Sequence, residues 1–316
     1  MMSERLFRFD FAAMGCPCEA LLFARTEGEA ALAADAAIAE VERIEQRYTR
    51  YRPDSFLSAI NRAAMKGAPI EVDDETAGLL DHAQDAHRRS GGLFDVTAGL
   101  LNSVWRERRK RLPDPEELAP VLARVGFEKL AWTRPVLSFS IAGMALDFGG
   151  IAKEYAVDRA ASVCAGRGIG RGLINLGGDI ALIGRADEPW RIGVRDPFDP
   201  DVARATLFMS EGALATSGDY ERGFIIGDRR FSHILNPRLG WPVEGLASIS
   251  IAGPTCLAAG LAASIAVLQG ENAEQFLASQ GLDCLTITQK GKIGGSIAGR
   301  ITPDKSRASA SARPTS

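Results

Sequence analysis

The segment from residue 146 to residue 158, L-D-F-G-G-I-A-K-E-Y-A-V-D, constrains the fold most because it predicts a strand that turns directly into a helix. Gly149 and Gly150 allow a tight turn and let a ligand approach the backbone N–H groups. A helix that starts near Ile151 would point its positive dipole end at that ligand, and Lys153 would add a point charge. The segment therefore predicts a phosphate-binding junction. The alternative is a glycine pair that packs a helix beside a surface lysine.

Composition is typical of a soluble globular protein. Of the 316 residues, 46% are hydrophobic and 24% are charged, which is ordinary for a folded domain. The formal net charge of -3 gives no electrostatic reason to expect nucleic acid as a partner. The basic run R-E-R-R-K-R at residues 106–111 is interpreted as the solvated face of a helix end or loop. Contact with an acidic partner or a membrane surface is the alternative for this run.

The first residues, M-M-S-E-R-L-F-R-F-D, carry charges where a signal peptide needs an uninterrupted apolar region. In addition, no apolar run in the sequence approaches the length of a membrane span. We therefore expect a cytoplasmic protein without a membrane span.

Hydrophobic periodicity predicts an α+β chain, because helices and short strands follow one another without regular β–α alternation. Strand-like segments are predicted at residues 7–23 with a break at 14–17, and at 136–139, 145–148, 172–175, 180–183, 190–194, 205–208, 223–226 and 247–251. Helices are predicted at residues 29–48, 74–90, 151–165 and 256–268. We expect residues 1–301 to form a single domain and the Ser/Ala/Arg-rich residues 302–316 to be disordered.

Several polar blocks that lie far apart in the sequence share chemistry suited to a dinucleotide ligand. They are M-G at 14–15, Y-R-P-D-S at 51–55, F-D-V-T at 94–97, D-F-G-G-I-A-K at 147–153, N-L-G-G-D at 175–179, T-S-G-D-Y at 216–220 and S-H-I-L-N-P-R-L-G at 232–240. In this order and spacing the blocks resemble the ApbE family of FAD:protein FMN transferases. The resemblance covers residues from about 14 to 270, which is nearly the whole predicted folded chain.

The resemblance implies an α+β protein of two intimately packed lobes, with mixed or antiparallel sheets flanked by helices and an FAD cleft between the lobes. It also implies a reaction in which the FAD pyrophosphate is cleaved and FMN is attached through a phosphoester bond to a threonine of a target protein. AMP is released, and magnesium assists. The acceptor is expected to be a subunit of a redox complex.

The resemblance also assigns candidate site residues. By position, the residues that would contact FAD are Met14, Tyr51, Leu93, Phe94, Asp95, Asp147, Lys153 and Ile234, and the backbone near Gly150 would contribute a magnesium ligand. Physical chemistry is consistent with these roles, since methionine and aromatic side chains give apolar faces for a flavin or adenine ring. A carboxylate such as Asp95 can accept hydrogen bonds from ring N–H or ribose hydroxyl groups. Ordinary core packing is the alternative for Met14 and Phe94.

His233 is the candidate catalytic residue. It is one of three histidines, and the other two, His82 and His87, lie in a predicted helix. Because the unperturbed pKa of histidine lies near physiological pH, His233 could accept the threonine proton as a base or stabilise the leaving phosphate as an acid. A structural histidine is the alternative.

The sequence departs from the family pattern at the metal site. The resemblance implies an A-D-x-x-x-T helix whose Asp and Thr hold magnesium, but the matching positions are Ala259 and Ala263. Asn236 replaces an Asp of the His233 block, and Glu154 replaces the Gly that usually follows the lysine. Since magnesium prefers oxygen ligands and usually one or two carboxylates, the loss of this Asp should weaken the usual site.

Three hypotheses remain open for this departure. Glu154 or Asp179 supplies the missing charge to a relocated metal site; Lys153 and helix N–H groups neutralise the phosphates without metal; or the chain binds flavin without catalysis. The corresponding alternatives to a transferase are an FAD-binding protein or flavin carrier, and an FAD pyrophosphatase that passes the phosphoryl group to water. The presence of His233, Asp147 and Lys153 favours a catalytic protein over one that only binds flavin.

Overall fold

The computed structural model describes residues 3–105, 111–199, 201–218, 223–298 and 313–314. Arg111 is therefore the one described residue of the basic run, and Asp219 and Tyr220 of the T-S-G-D-Y block lie outside the described residues. The predicted disordered tail also lies outside them except at Arg313–Pro314. These two residues pair with Arg191 and Trp190, and the disorder of the tail stays a prediction.

Strands and helices alternate irregularly along the chain. The strands are β1 (Arg5–Ala13), β2 (Cys16–Ala24), β3 (Ile70–Glu71), β4 (Leu130–Thr133), β5 (Val136–Phe139), β6 (Gly172–Leu176), β7 (Asp179–Ile183), β8 (Trp190–Arg195), β9 (Ala203–Met209), β10 (Ala213–Gly218), β11 (Phe224–Ile226), β12 (Arg229–Phe231), β13 (Leu235–Asn236), β14 (Trp241–Pro242), β15 (Leu246–Gly253), β16 (Asp283–Thr288), β17 (Ile293–Gly294) and β18 (Arg313–Pro314). The helices are α1 (Glu27–Tyr48), α2 (Phe56–Lys66), α3 (Asp74–Arg89), α4 (Pro115–Leu122), α5 (Ala152–Gly166), α6 (Cys256–Leu268) and α7 (Ala273–Gln280).

The central sheet has eight strands in the order β1-β2-β6-β7-β10-β15-β16-β17. Every strand pair within the described residues is antiparallel. The predicted α+β class is confirmed. The division into two lobes and the single domain over residues 1–301 stay predictions.

Both faces of the central sheet are buried, because successive side chains along a strand point to opposite faces. Leu22 and Ile174 lie in a core shared with α1, α5 and α6, whereas their neighbours Leu21 and Leu173 lie in a second core that includes residues of β8 and β9. This arrangement explains why β6 and β7 are apolar throughout rather than alternating. It also places the start of α5 close to the ends of β6 and β7.

Sequence signals at the helix ends agree with the structure. Thr26 caps α1 by accepting the N–H of Glu29, and Ser55 caps α2 by accepting the N–H of Ser58. Gly91 has a φ of 62°, a conformation that glycine adopts without strain, and it follows Ser90, the C-cap residue of α3. The four predicted helices are confirmed to within two residues at each end.

The prediction of a strand at residues 145–148 is wrong. The backbone of Leu146 instead forms two hydrogen bonds with the side chain of Asn61, at 2.7 Å from its N–H and 3.0 Å from its carbonyl. The N–H of Asp147 donates to the carbonyl of Val96 at 2.7 Å. Since these partners satisfy the backbone, the segment needs no neighbouring strand.

The sequence analysis also did not predict α4, α7, β10 and β16.

No helix within the described residues is long and apolar enough to cross a membrane. The cytoplasmic location stays a prediction.

Candidate functional site

A cavity of about 1210 Å³ brings the predicted site residues together. Its wall includes Met14, Tyr51, Leu93, Phe94, Asp95, Asp147, Gly150, Lys153, Glu154, His233 and Ile234. These residues come from the β1–β2 turn, the loop between α1 and α2, the loop after α3, the start of α5 and the loop before β13. The volume exceeds the roughly 300–1,000 Å³ of common ligand pockets, so an extended ligand fits.

The predicted phosphate junction forms part of this wall. Gly149, Gly150, Ala152 and Lys153 all line the cavity, and α5 begins at Ala152. Ile151 occupies the N-cap position, where its apolar side chain cannot accept a hydrogen bond from the first N–H groups of the helix. The N–H of Ala152 donates to the carbonyl of Phe148 at 2.8 Å, so it is the dipole orientation of α5, together with the charge of Lys153, that favours an anion here.

Asp147 is held rigidly at the cavity wall. One carboxylate oxygen accepts the N–H of Gly149 at 2.8 Å, and the other pairs with Arg50 at 3.1 Å. A Cβ at Gly99 would lie 2.3 Å from the Cβ of Asp147, so residue 99 must be glycine for this approach. The sequence analysis missed Arg50 and Gly99, although Arg50 directly precedes the Y-R-P-D-S block.

Lys153 is fixed by a buried acid. Its Nζ lies 2.8 Å from a carboxylate oxygen of Asp179, whose side chain is 2% exposed. The other oxygen of Asp179 accepts the N–H of Thr216 at 3.0 Å. Burial alone would lower the pKa of Lys153, but the charges of Asp179 and Glu154 raise the pKa above its usual value. Lys153 therefore stays positively charged in the cavity wall.

The side chain of Glu154 extends from α5 towards Gly260 of α6, and the residue is 6% exposed. Its atom Oε2 is buried and has no hydrogen-bond partner within the described residues. Burial, followed by the charge of Asp179, raises the pKa of Glu154 to about 7. Ala259 and Ala263, at the positions where the resemblance implies the usual metal ligands, are buried on α6 and carry no donor atoms in their side chains.

Asp95 lines the cavity, but its carboxylate is occupied by the protein. Its Oδ1 accepts both the N–H of Thr97, at 2.8 Å, and the hydroxyl of Thr97, at 2.6 Å. Its Oδ2 accepts the N–H of Phe127 at 2.7 Å. Asp95 therefore joins the loop after α3 to residues 126–127, and this positions Leu93 and Phe94 in the wall.

Replacing Asp95 with alanine is expected to destabilise the protein by about 2–3 kcal/mol, because a buried N–H of Phe127 loses its acceptor. Urea denaturation of the purified variant measures this change. The control is Asp54→Ala, which removes an exposed partner of Arg52 and should change stability little. Equal stability of Asp95→Ala and the unsubstituted chain would contradict the role of Asp95.

The half-buried Met14 in the β1–β2 turn and the exposed Tyr51 provide apolar faces at the cavity. Met14 has a φ of 55° and Gly15 a φ of 71°, so both have the positive φ that a two-residue hairpin turn of type I′ requires. For Met14 this conformation is uncommon. Tyr51 is 81% exposed, and the guanidinium of Arg50 lies 5.0 Å from the centre of its ring. Both side chains are accessible to a planar ligand.

His233 and Ile234 line the cavity from the loop that precedes β13. The N–H of Ile234 donates to the hydroxyl of buried Ser232 at 3.1 Å. Asn236, which departs from the family pattern, accepts the N–H groups of Arg238 and Leu239 with its side chain. Asn236 thus stabilises the turn that follows.

Comparisons with known proteins identify the family of this chain. A model of the ApbE family matches residues 14–286. The chain is 34% identical over 245 residues to an FAD:protein FMN transferase of Rhodobacter capsulatus, covering 75% of this chain and 47% of that protein. It is 29% identical over 244 residues to an FAD:protein FMN transferase of Haemophilus influenzae, covering 73% and 70%. The chain therefore spans about half the length of the Rhodobacter relative.

Two solved structures show the same fold. The ApbE protein of Thermotoga maritima matches with a TM-score of 0.86 and 26% identity, covering 94% of this chain and 98% of that one. A flavin transferase ApbE of Vibrio cholerae matches with a TM-score of 0.79 and 25% identity, covering 94% and 99%. The resemblance predicted from the sequence motifs is confirmed.

Proposed function

Because this chain belongs to the ApbE family, we propose that it is an FAD:protein FMN transferase. In this reaction a threonine hydroxyl of a target protein attacks the phosphorus of the FMN half of FAD. A new phosphoester bond forms, the pyrophosphate bond breaks, and AMP leaves with the bridging oxygen. The observation that carries the proposal is one cavity that contains a phosphate junction, a fixed lysine and a histidine.

The pyrophosphate is proposed to bind at the start of α5. Lys153 has three N–H donors, and its salt bridge with Asp179 leaves the remaining donors for phosphate oxygens. The fixed carboxylate of Asp147 is suited to accept hydrogen bonds from hydroxyl groups next to the phosphates. Positioning and electrostatic stabilisation are what phosphoryl transfer needs most, and this wall offers both.

The ring systems of FAD are proposed to contact the apolar side chains of the cavity. These are Met14, Tyr51, Leu93, Phe94 and Ile234. Asp95 contributes to this contact by holding its loop, since both of its oxygens already accept protein donors. His233 is proposed to accept the proton of the attacking threonine hydroxyl.

A divalent cation, magnesium in the proposed reaction, fits the same wall. Glu154 offers a carboxylate with an unpartnered oxygen, and the backbone at Gly150, which lines the same cavity, is proposed to offer a second oxygen ligand. When bound, the cation would neutralise the charge that develops on the pyrophosphate. The acceptor is proposed to be a subunit of a redox complex.

Release of AMP from FAD, measured by chromatography with and without an acceptor domain, tests the proposed function. We expect AMP only when the acceptor is present, and none when its acceptor threonine is replaced by valine. AMP release without acceptor would indicate a pyrophosphatase, and FAD binding without AMP would indicate a flavin carrier. Either result would contradict the proposed transferase.

A further inference from the structure

We infer that Glu154 and Gly260 form a matched pair across the contact between α5 and α6, in which Gly260 provides the space and Glu154 provides the side-chain ligand of a divalent cation. The inference rests on the proposed function, because it places the cation next to the site proposed for the pyrophosphate. It assigns the ligand to a different helix from the one the family pattern implies.

The first observation is the unusual position of Glu154. A glutamate in the first turn of a helix normally extends into solvent, but this side chain is buried and its Oε2 has no hydrogen-bond partner within the described residues. A buried carboxylate without a partner is strongly unfavourable unless a cation or donor compensates it. A cation bound to Oε2 would provide this compensation.

The second observation is the residue that faces Glu154. Gly260 is the only glycine in α6, whose sequence is otherwise rich in alanine and leucine. A Cβ at this position would lie 2.4 Å from the Cγ of Glu154, so even alanine would displace the side chain. Glycine in the middle of a helix is less favourable than alanine. The space that Gly260 leaves for the side chain of Glu154 explains why glycine occupies this position.

Asp158, one turn further along α5, is a carboxylate between the same two helices that has a structural role. Its two oxygens accept the N–H groups of Cys256 and Leu257 at 2.8 and 2.9 Å, and so cap α6. Asp158 thus has protein partners for both oxygens. Glu154 lies on the same face of α5, at the cavity, with an oxygen left over.

The local charge favours a cation beside Glu154. Lys153 and Asp179 form an ion pair and largely neutralise each other. Glu154 is then a second carboxylate beside the single positive charge of Lys153, and phosphates of FAD would add further negative charge. A divalent cation that binds one carboxylate together with phosphate oxygens and water has the coordination magnesium prefers.

Titration of Mn²⁺ into the chelator-treated chain, with and without FAD, tests the pair by electron paramagnetic resonance. We expect Glu154→Gln, which keeps the side-chain shape, to weaken Mn²⁺ binding by roughly tenfold or more. Gly260→Ala should weaken binding similarly. The matched control is Asp158→Asn, which alters the cap of α6 and should leave Mn²⁺ affinity within about twofold of the original, since Asp158 is not a ligand.

Flavin fluorescence in the absence of metal shows whether each variant still folds and binds FAD. If Gly260→Ala does not fold, Glu154→Gln alone decides the question. Mn²⁺ binding that is as tight in Glu154→Gln as in the unsubstituted chain, or absent from the unsubstituted chain, would overturn the inference. Because this measurement needs no turnover, a chain that binds Mn²⁺ through Glu154 but releases no AMP would contradict only the proposed function.

Discussion

Replacement of His233 with alanine is expected to slow FMN transfer by about 10²–10⁴-fold, which is the usual contribution of a positioned general base. His233 lines the same cavity as Lys153 and Asp147, so the proposed base and the proposed phosphate site face one space. FAD affinity should change little, because apolar side chains and the phosphate junction make the proposed contacts with FAD.

The rate of acceptor labelling under single-turnover conditions, together with FAD affinity from flavin fluorescence, measures this effect. The control is His82→Ala, because His82 is exposed on α3 and does not line the cavity. A purely structural role for His233 predicts that the melting temperature and FAD affinity fall with the rate. Unchanged transfer by His233→Ala would reject the catalytic role.

Replacement of Lys153 with methionine is expected to lower both stability and FAD affinity. The substitution leaves the buried carboxylate of Asp179 without its cation, which typically costs about 3–5 kcal/mol of unfolding free energy. FAD binding should weaken as well, because a positive charge is lost from the proposed phosphate site.

A double-mutant cycle with Asp179→Asn separates the two effects. We expect the double variant to recover most of the stability lost in Lys153→Met, since no uncompensated buried charge remains. FAD affinity should stay low in the double variant. Urea denaturation and flavin fluorescence of the four proteins measure these quantities. If the double variant is no more stable than Lys153→Met, the ion pair is not what holds Lys153 in place.

The junction before α5 could be predicted from the residues because it lies where a helix begins and local patterns are clear, whereas the other candidate site residues were assigned through the family resemblance. The glycine pair before α5 depends on neighbouring residues alone. The strand predicted at 145–148 failed because Asn61, 85 residues away, satisfies the backbone there. Local hydrophobic pattern cannot indicate such a partner.

Contacts between distant segments account for the site residues that the sequence analysis missed. Arg50 belongs to the site because it forms an ion pair with Asp147. Residue 99 must be glycine because Asp147 packs closely against it. Gly260 is interpretable only once α5 and α6 are seen to pack together. Asp95 was predicted as a ligand contact, but its bonds to Thr97 and Phe127 became visible only in the fold.

The intact mass of an acceptor domain after incubation with this chain, FAD and Mg²⁺ tests the central claim most directly. The account predicts that the acceptor gains the mass of FMN less water, that fragmentation places the addition on a threonine, and that an equal amount of AMP appears. An acceptor of unchanged mass, in a sample where FAD is bound or hydrolysed, would contradict the account.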